Sequence, residues 1–172
     1  LQKREALHLE GIRTHLIGHL QTNKVEKIVG SVDMIESVDS LRLAQAIASA
    51  SRKRGIVTDV LVEVNIGGEA AKSGIAPEAA EDLLHQLSSL KGIQVRGMMT
   101  VPPISETDME KRRYFSRMKK LFVDIRSKNI DNIHMDILSM GMSDDYIQAI
   151  LEGSTEVRIG SALFGKRVYP SL

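Results

Sequence analysis

Short apolar runs alternate along the chain with longer stretches in which apolar residues recur every three or four positions. The runs predict strands, and the stretches with helical spacing predict helices between them. The predicted strands cover residues 15–18, 34–38, 60–66, 95–101, 133–139 and 156–160. Strands that alternate with helices are typical of a parallel sheet, since parallel neighbours need a crossover connection. The pattern therefore predicts an α/β fold built from βα units.

The helical stretches complete this alternation. Predicted helices cover residues 22–29, 40–54, 110–128 and 145–151, another begins at Pro77, and a last short helix spans residues 162–166. Ser40 and Ser143 are candidate N-caps, because their hydroxyls can accept a hydrogen bond from a free backbone N–H. With no linker in view, we expect a single domain over residues 1–172. An open doubly wound sheet and a (β/α)8 TIM barrel both fit the pattern.

Composition excludes several classes of protein. The 172 residues carry 23 Lys and Arg against 22 Asp and Glu, so a nucleic-acid partner is not expected. The absence of Cys excludes disulfides and thiolate zinc sites. The apolar runs are far shorter than the ~20 residues of a membrane span, so no membrane partner is expected. No targeting segment is visible, and we therefore expect a cytoplasmic location.

Small polar residues collect where the predicted strands end. The segment Ser139-Met140-Gly141 precedes one helix, and the pair Gly160-Ser161 follows the last strand. Barrels carry their sites at the carboxyl ends of the strands and commonly bind phosphate in the loops of the last two. Glycine backbone and serine hydroxyls supply the N–H and O–H donors that a phosphate needs. The residues alone fit either a phosphate cup or ordinary tight turns.

Arg158 lies between Val157 and Ile159 in the last predicted strand. If these two neighbours face the outer helices, the Arg158 side chain points inward and needs a partner. One interpretation is a structural ion pair with an inward acid such as Glu63 or Asp136. The other is a fixed donor aimed at a ligand, and both remain open at this point.

Other signatures of chemistry are missing from the sequence. The five histidines form no H-x-x-x-H pair on one predicted helix, and no cluster of Asp, Glu and His has metal-ligand spacing. The nucleophile elbow G-x-S-x-G, the Rossmann glycine fingerprint and the phosphate loop of nucleotide-binding proteins do not occur either. The spacing therefore predicts no metal site and no catalytic residue.

Taken together, the strand-end segments resemble the pyridoxal phosphate homeostasis protein family. The resemblance rests on HLIGHLQTNK at 15–24, VN at 64–65, E-x-x-KSG at 69–74, GMMT at 97–100, LSMGMSD at 138–144 and GSTEVRIGSALFG at 153–165. These motifs are long, ordered and spread over nearly the whole chain. The resemblance implies a (β/α)8 TIM barrel of the alanine racemase N-terminal type that binds pyridoxal 5′-phosphate (PLP) at its strand ends.

The resemblance also implies a function and a set of site residues. It implies a cofactor carrier in intracellular PLP homeostasis without enzymatic turnover, with a small-molecule partner, as a monomer or weak dimer. The implied cofactor-binding residues are Ser139, Met140, Gly141, Gly160 and Ser161 around the phosphate, Arg158 at the pyridine nitrogen, and Asn65, Met99 and Ile17 around the ring. The alternatives are a PLP-dependent racemase-like enzyme and a phosphate-binding barrel enzyme without PLP.

One departure from the family pattern concerns the lysine that forms the Schiff base with PLP. In the family this lysine ends the first strand, and a second strand follows before the HLIG-like segment. The six strands predicted here match the family's third to eighth, so an N-terminally incomplete barrel is expected, with the lysine in the missing segment. Lys24, Lys72 and Lys166 remain on loops, where we expect solvated side chains.

Overall fold

Six parallel strands form one sheet in the order β1-β2-β3-β4-β5-β6 in the computed structural model, which describes residues 11–165. The strands are β1 (His15–Leu16), β2 (Met34–Val38), β3 (Thr58–Glu63), β4 (Ile93–Met99), β5 (Ile133–Met142) and β6 (Glu156–Arg158). The predicted α/β class and the six predicted strands are confirmed, with bounds that shift by at most three residues.

Helical segments follow the strands, as a parallel sheet requires. They are α1 (Val25–Ile28), α2 (Leu41–Lys53), α3 (Ala80–Ser88), α4 (Asp108–Ser127), α5 (Tyr146–Leu151) and α6 (Ser161–Phe164), with 3₁₀ turns at Thr22–Lys24 and Pro77–Ala79 leading into α1 and α3. The predicted last helix reaches Lys166, which lies outside the described residues. None of the described helices combines the length and the apolar character that crossing a bilayer requires.

Two of the helix starts are fixed by hydroxyl caps. Ser40 caps α2 as predicted, since its Oγ accepts a hydrogen bond from the N–H of Leu43 at 3.3 Å. Thr107 caps α4 through the N–H of Glu110, and α4 therefore begins two residues earlier than predicted. The prediction that Ser143 caps α5 is wrong, because α5 has no side-chain cap and Ser143 contacts the loop after β6 instead.

Alternate residues of the strands face opposite sides of the sheet. On the outer face, Val60 and Val62 join Phe115 of α4 in a core between sheet and helices, and all three are fully buried. The inner face has a smaller apolar cluster of Met34, Leu61 and Met99. Further along the strands the inner positions become polar, with Glu36, Glu63 and Ser139 all buried. This polar end of the inner face is the natural place for a site.

The sheet is strongly curled. Six strands laid flat would separate the outermost two by about 24 Å, at roughly 4.8 Å per neighbouring pair. Yet His15 Nδ1 on β1 lies only 3.2 Å from Glu156 Oε1 on β6. The sheet must therefore bend around its inner face as a barrel does. The single-domain organisation, the oligomeric state and the cytoplasmic location stay predictions.

Candidate functional site

The loops after β5 and β6 meet at the hydroxyl of Ser143. Its Oγ accepts hydrogen bonds from the backbone N–H of Gly160 at 3.1 Å and of Ala162 at 3.2 Å. Asp145 fixes the adjoining turn, because its Oδ1 accepts a hydrogen bond from the N–H of Met142 at 2.6 Å. Two backbone donors thus converge on one oxygen at an exposed position. We call Ser143, Gly160, Ser161 and Ala162 the rim cluster.

The residues predicted to form a phosphate cup are divided between the rim and the interior. Gly160 and Ser161 are exposed and belong to the rim cluster. Met140 is fully buried on the outer face. Gly141 has φ +97°, and a Cβ there would lie 2.5 Å from the Cβ of Ala149, so the glycine lets α5 pack closely on β5. Contact of these residues with phosphate stays a prediction.

Ser139 faces the interior. Its hydroxyl donates a hydrogen bond to Glu36 Oε2 at 2.7 Å and accepts one from the Arg158 guanidinium at 2.7 Å. Ser139 and Glu36 are 103 positions apart in the sequence and are both inaccessible to water. Sequence reasoning missed Glu36, because an isolated acid in an apolar strand carries no local signal. The side chain of Ser139 is therefore engaged by Glu36 and Arg158 in this arrangement, and its predicted contact with phosphate stays a prediction.

Arg158 is held by two strands at the carboxyl end of the sheet. In addition to Ser139 Oγ, its guanidinium donates to the carbonyl oxygen of Thr100 at 2.8 Å. Burial lowers the pKa of the guanidinium, while the carboxylate of Glu36 opposes the shift most strongly. The interpretation that Arg158 pairs with Asp136 is wrong, since Asp136 forms an ion pair with Arg96 at 3.0 Å.

Glu63 is the last residue of β3. The predicted strand, residues 60–66, extended further and placed Glu63 in its middle. Its Oε1 accepts a hydrogen bond from the Ser73 hydroxyl at 2.5 Å. Burial raises the pKa of Glu63, and the hydrogen bond from Ser73 opposes that shift. The carboxyl group of Glu63, at the carboxyl end of β3, therefore keeps its proton to a higher pH than an ordinary glutamate does.

Asn65 organises the loop after β3. Its side-chain amide donates to the carbonyl of Glu69 at 2.8 Å, and its Oδ1 accepts from the N–H of Gly68 at 3.0 Å. Lys72 in the same loop donates to the carbonyl of Pro102 at 2.9 Å and pairs with Glu69 at 3.1 Å. The expectation of a solvated side chain is therefore wrong for Lys72.

Met99 and Ile17 occupy different environments. Met99 is fully buried on the inner face and pairs in register with Ser139, so it lies close beneath the Arg158 network. Ile17 follows β1 directly and is 47% exposed. Lys24 is exposed in the first 3₁₀ turn, as expected. Of the predicted ring-pocket residues, Met99 is thus the one that pairs with a member of the Arg158 network, Ser139. The side chain of Asn65 is instead hydrogen-bonded within the loop after β3.

Comparisons with known proteins agree with this architecture. Residues 2–168 match the family model described as alanine racemase, N-terminal domain. The chain is 43% identical over 169 residues to a pyridoxal phosphate homeostasis protein of Aquifex aeolicus, covering 98% of this chain and 73% of that protein. It is 40% identical over 156 residues to the protein of the same name from Pseudomonas aeruginosa, covering 90% and 65% respectively. The chain thus spans about two thirds to three quarters of these relatives.

A solved structure gives the same result. The protein PipY of Synechococcus elongatus, with PLP bound, matches this structure with a TM-score of 0.85 at 32% identity. The match covers 95% of this chain and 76% of PipY. Together with the family model, it confirms that the curled sheet has the α/β TIM-like barrel fold of the alanine racemase N-terminal domain.

Proposed function

The chain belongs to the alanine racemase N-terminal domain family, together with the pyridoxal phosphate homeostasis proteins, and we propose that it binds PLP and serves intracellular PLP homeostasis without enzymatic turnover. The observation that carries the proposal is the convergence of the Gly160 and Ala162 N–H groups on one oxygen. A phosphate oxygen at that point would take the same two donors. The hydroxyls of the half-buried Ser143 and the exposed Ser161 are further donors that a phosphate group attracts.

The donor set of the rim cluster fits a phosphate better than an apolar ligand. It combines backbone N–H groups with serine hydroxyls, which can all donate hydrogen bonds to a dianion. Glycine at position 160 leaves the backbone open to close approach, since no atom lies within 4 Å of a Cβ placed there. These features support the rim cluster as the phosphate-binding end of the cofactor site.

Arg158 is the proposed partner of the pyridine nitrogen. PLP supplies an electron sink through its protonated pyridine ring in most enzymes that use it. A guanidinium has only donors and stays charged, so Arg158 would bind an unprotonated ring nitrogen and keep it unprotonated. The hydrogen bonds to Ser139 and Thr100 hold the guanidinium in place. This arrangement supports storage of the cofactor rather than its use in turnover.

Equilibrium dialysis tests the proposal without requiring covalent attachment. The chain is dialysed against PLP and, in parallel, against pyridoxal, which lacks the phosphate. We expect retention of PLP, much weaker retention of pyridoxal, and competition by inorganic phosphate. Equal retention of PLP and pyridoxal would refute the phosphate anchor, and no retention of PLP would refute the function.

A second candidate is a PLP-dependent amino-acid racemase, which the name of the family model favours. The test is the conversion of L-alanine to D-alanine by the chain in the presence of PLP. We expect no conversion above that of PLP alone, because Arg158 disfavours the protonated ring. Conversion that depends on the protein and is abolished in Ser161→Ala would reverse the order of the two candidates.

A further inference from the structure

Three ligand-type side chains meet on the inner face below Arg158. His15 of β1, Glu36 of β2 and Glu156 of β6 each point one nitrogen or oxygen atom to a common position. His15 Nδ1 lies 2.9 Å from Glu36 Oε1 and 3.2 Å from Glu156 Oε1, and all three atoms lie within 4.8 Å of one another. We call these three residues the inner triad.

The inner triad brings three atoms that carry lone pairs to one position. An imidazole nitrogen carries at most one hydrogen, which cannot point at two carboxylate oxygens at once with good geometry. The two carboxylates also repel each other when both are ionised, and a cation between them would offset that repulsion. A site with this charge and this set of lone pairs has room for a cation at its centre.

We propose that the inner triad binds a divalent metal ion of the first transition series, such as Zn²⁺. One imidazole nitrogen and two carboxylate oxygens are ligands that Zn²⁺ accepts, while Mg²⁺ and Ca²⁺ prefer oxygen alone. Tetrahedral ligands at about 2.0–2.2 Å from zinc lie roughly 3.3–3.5 Å apart. The distances of 2.9 Å and 3.2 Å therefore need to widen by only a few tenths of an ångström.

The surroundings of the triad suit a metal site. The second oxygen of Glu36 accepts a hydrogen bond from Ser139, which fixes the orientation of the carboxylate as residues behind metal ligands commonly do. Glu36 is 1% exposed, while the side chains of His15 and Glu156 are 20% and 28% exposed. An ion can enter from the side of His15 and Glu156. Three protein ligands leave a fourth position for water.

The proposal accounts for why the sequence shows no metal motif. Short-range spacing reveals sites whose ligands lie on one helix or loop. Here His15 and Glu156 are 141 positions apart and meet because the sheet curls. None of the three ligands belongs to the rim cluster, and Glu36 is connected to Arg158 through the hydroxyl of Ser139.

Titration with Co²⁺ and Zn²⁺ in the absence of PLP tests the proposal. We expect one equivalent of Co²⁺ to give visible d–d absorption that Zn²⁺ abolishes and that excess Mg²⁺ leaves unchanged. His15→Ala and Glu156→Gln should each lower the affinity by at least about 100-fold, since residues behind the ligands alone shift metal affinity about 10–100-fold. Zn²⁺ should also raise the melting temperature of the wild type and leave that of Glu156→Gln unchanged.

His85→Ala is the matched control, because His85 forms an exposed pair with Glu81 at 3.9 Å on α3 and resembles the triad in composition. We expect it to bind metal as the wild type does. His8→Ala serves the same purpose for a histidine outside the described residues. The proposal is overturned if the wild type binds no metal, or if the two triad variants bind as tightly as the wild type. Circular dichroism of the metal-free variants establishes that they are folded.

Discussion

The two faces of the sheet consist of alternate residues of the same strands, yet they have opposite characters. On the outer face, Val60 and Leu138 pack against helices and share the core with Phe115. On the inner face, Glu36 and Ser139 are buried just as deeply, but their polar atoms are hydrogen-bonded to side chains of other strands. Apolar packing tolerates exchange between similar side chains, whereas a hydrogen bond needs a donor, an acceptor and an angle.

The two faces of the sheet therefore have different roles. The outer face removes apolar area from water and so contributes most of the stability. On the inner face, a connected network of hydrogen bonds offsets the cost of burying polar groups. The loss of one member of this network leaves another without a hydrogen-bond partner. A protein built in this way can exchange its ligand chemistry while keeping its fold. Substitutions on each face should therefore affect stability and ligand binding differently.

Phe115→Ala tests the outer face. Phe115 is fully buried between α4 and the sheet, so its truncation should lower the free energy of unfolding by about 3–5 kcal/mol. Urea denaturation measures the loss. Val123→Ala is the control on the same helix, because Val123 is 47% exposed and should cost much less. Similar losses in both variants would contradict the assignment of the core to this face.

Arg158→Leu tests the inner face. It removes the donors to Ser139 and Thr100 and the positive charge that interacts with the buried Glu36, which should cost about 3 kcal/mol in the free energy of unfolding. Arg96→Leu provides the comparison, since the Arg96–Asp136 pair is half exposed and should contribute less than about 1 kcal/mol. Equal costs by urea denaturation would mean that the Arg158 network has no special energetic role.

Ser161→Ala separates the rim from the interior. The exposed Ser161 should matter for PLP binding and little for stability, with a loss of about 1–2 kcal/mol in PLP affinity, or roughly 5–30-fold. Equilibrium dialysis measures the affinity. Ser139→Ala should show the reverse order, because its hydroxyl lies in the buried network. The contrast fails if dialysis gives the same PLP affinity for Ser161→Ala and wild type.

Glu63→Gln tests the pH dependence of the inner face. Burial raises the pKa of Glu63, so the native state binds its proton more tightly than the unfolded state does. The free energy of unfolding should therefore fall as the pH rises from about 4.5, the ordinary pKa of a glutamate, through the raised pKa of Glu63. Glutamine removes this dependence and should raise the melting temperature at neutral pH by about 2–4 °C at most.

The control for the Glu63 prediction is Glu26→Gln, an exposed carboxylate paired with Lys53 at 2.8 Å. The pair with Lys53 lowers the pKa of Glu26, so its contribution to stability should have the opposite sign and vanish as pH falls. Melting curves at several pH values compare the two variants. A loss of stability in Glu63→Gln at neutral pH would show that the ionised carboxylate is favourable there.

Much of the fold was predictable from the sequence because it depends on local rules. Short apolar runs identified all six strands, and a serine before a stretch with helical spacing identified the cap of α2. The errors have local causes as well. Ser143 has the residue type of a cap, but its hydroxyl finds two backbone donors in the loop after β6, which no local pattern reveals.

The site was predictable only in part. Gly160 and Ser161 stand out as small residues after a strand, and Arg158 stands out as a charge between two apolar residues. The network behind Arg158 did not stand out, because Thr100 lies 58 positions from Arg158, and Glu36 lies 103 positions from Ser139, to which it is hydrogen-bonded. Long-range pairing depends on register and curl, and one residue of slip would turn every inner side chain outward.

The sequence alone was enough to predict the order of the elements and the parallel sheet, since the patterns of apolar residues that specify strands and helices act over short distances. It also specified the donors that gather at the strand ends. Only the tertiary structure decided that His15 meets Glu156, that Ser139 links Glu36 to Arg158, and that Asp136 pairs with Arg96 instead. These contacts join residues on different strands, and it is the curl of the sheet that sets which side chains on its inner face come within hydrogen-bond distance.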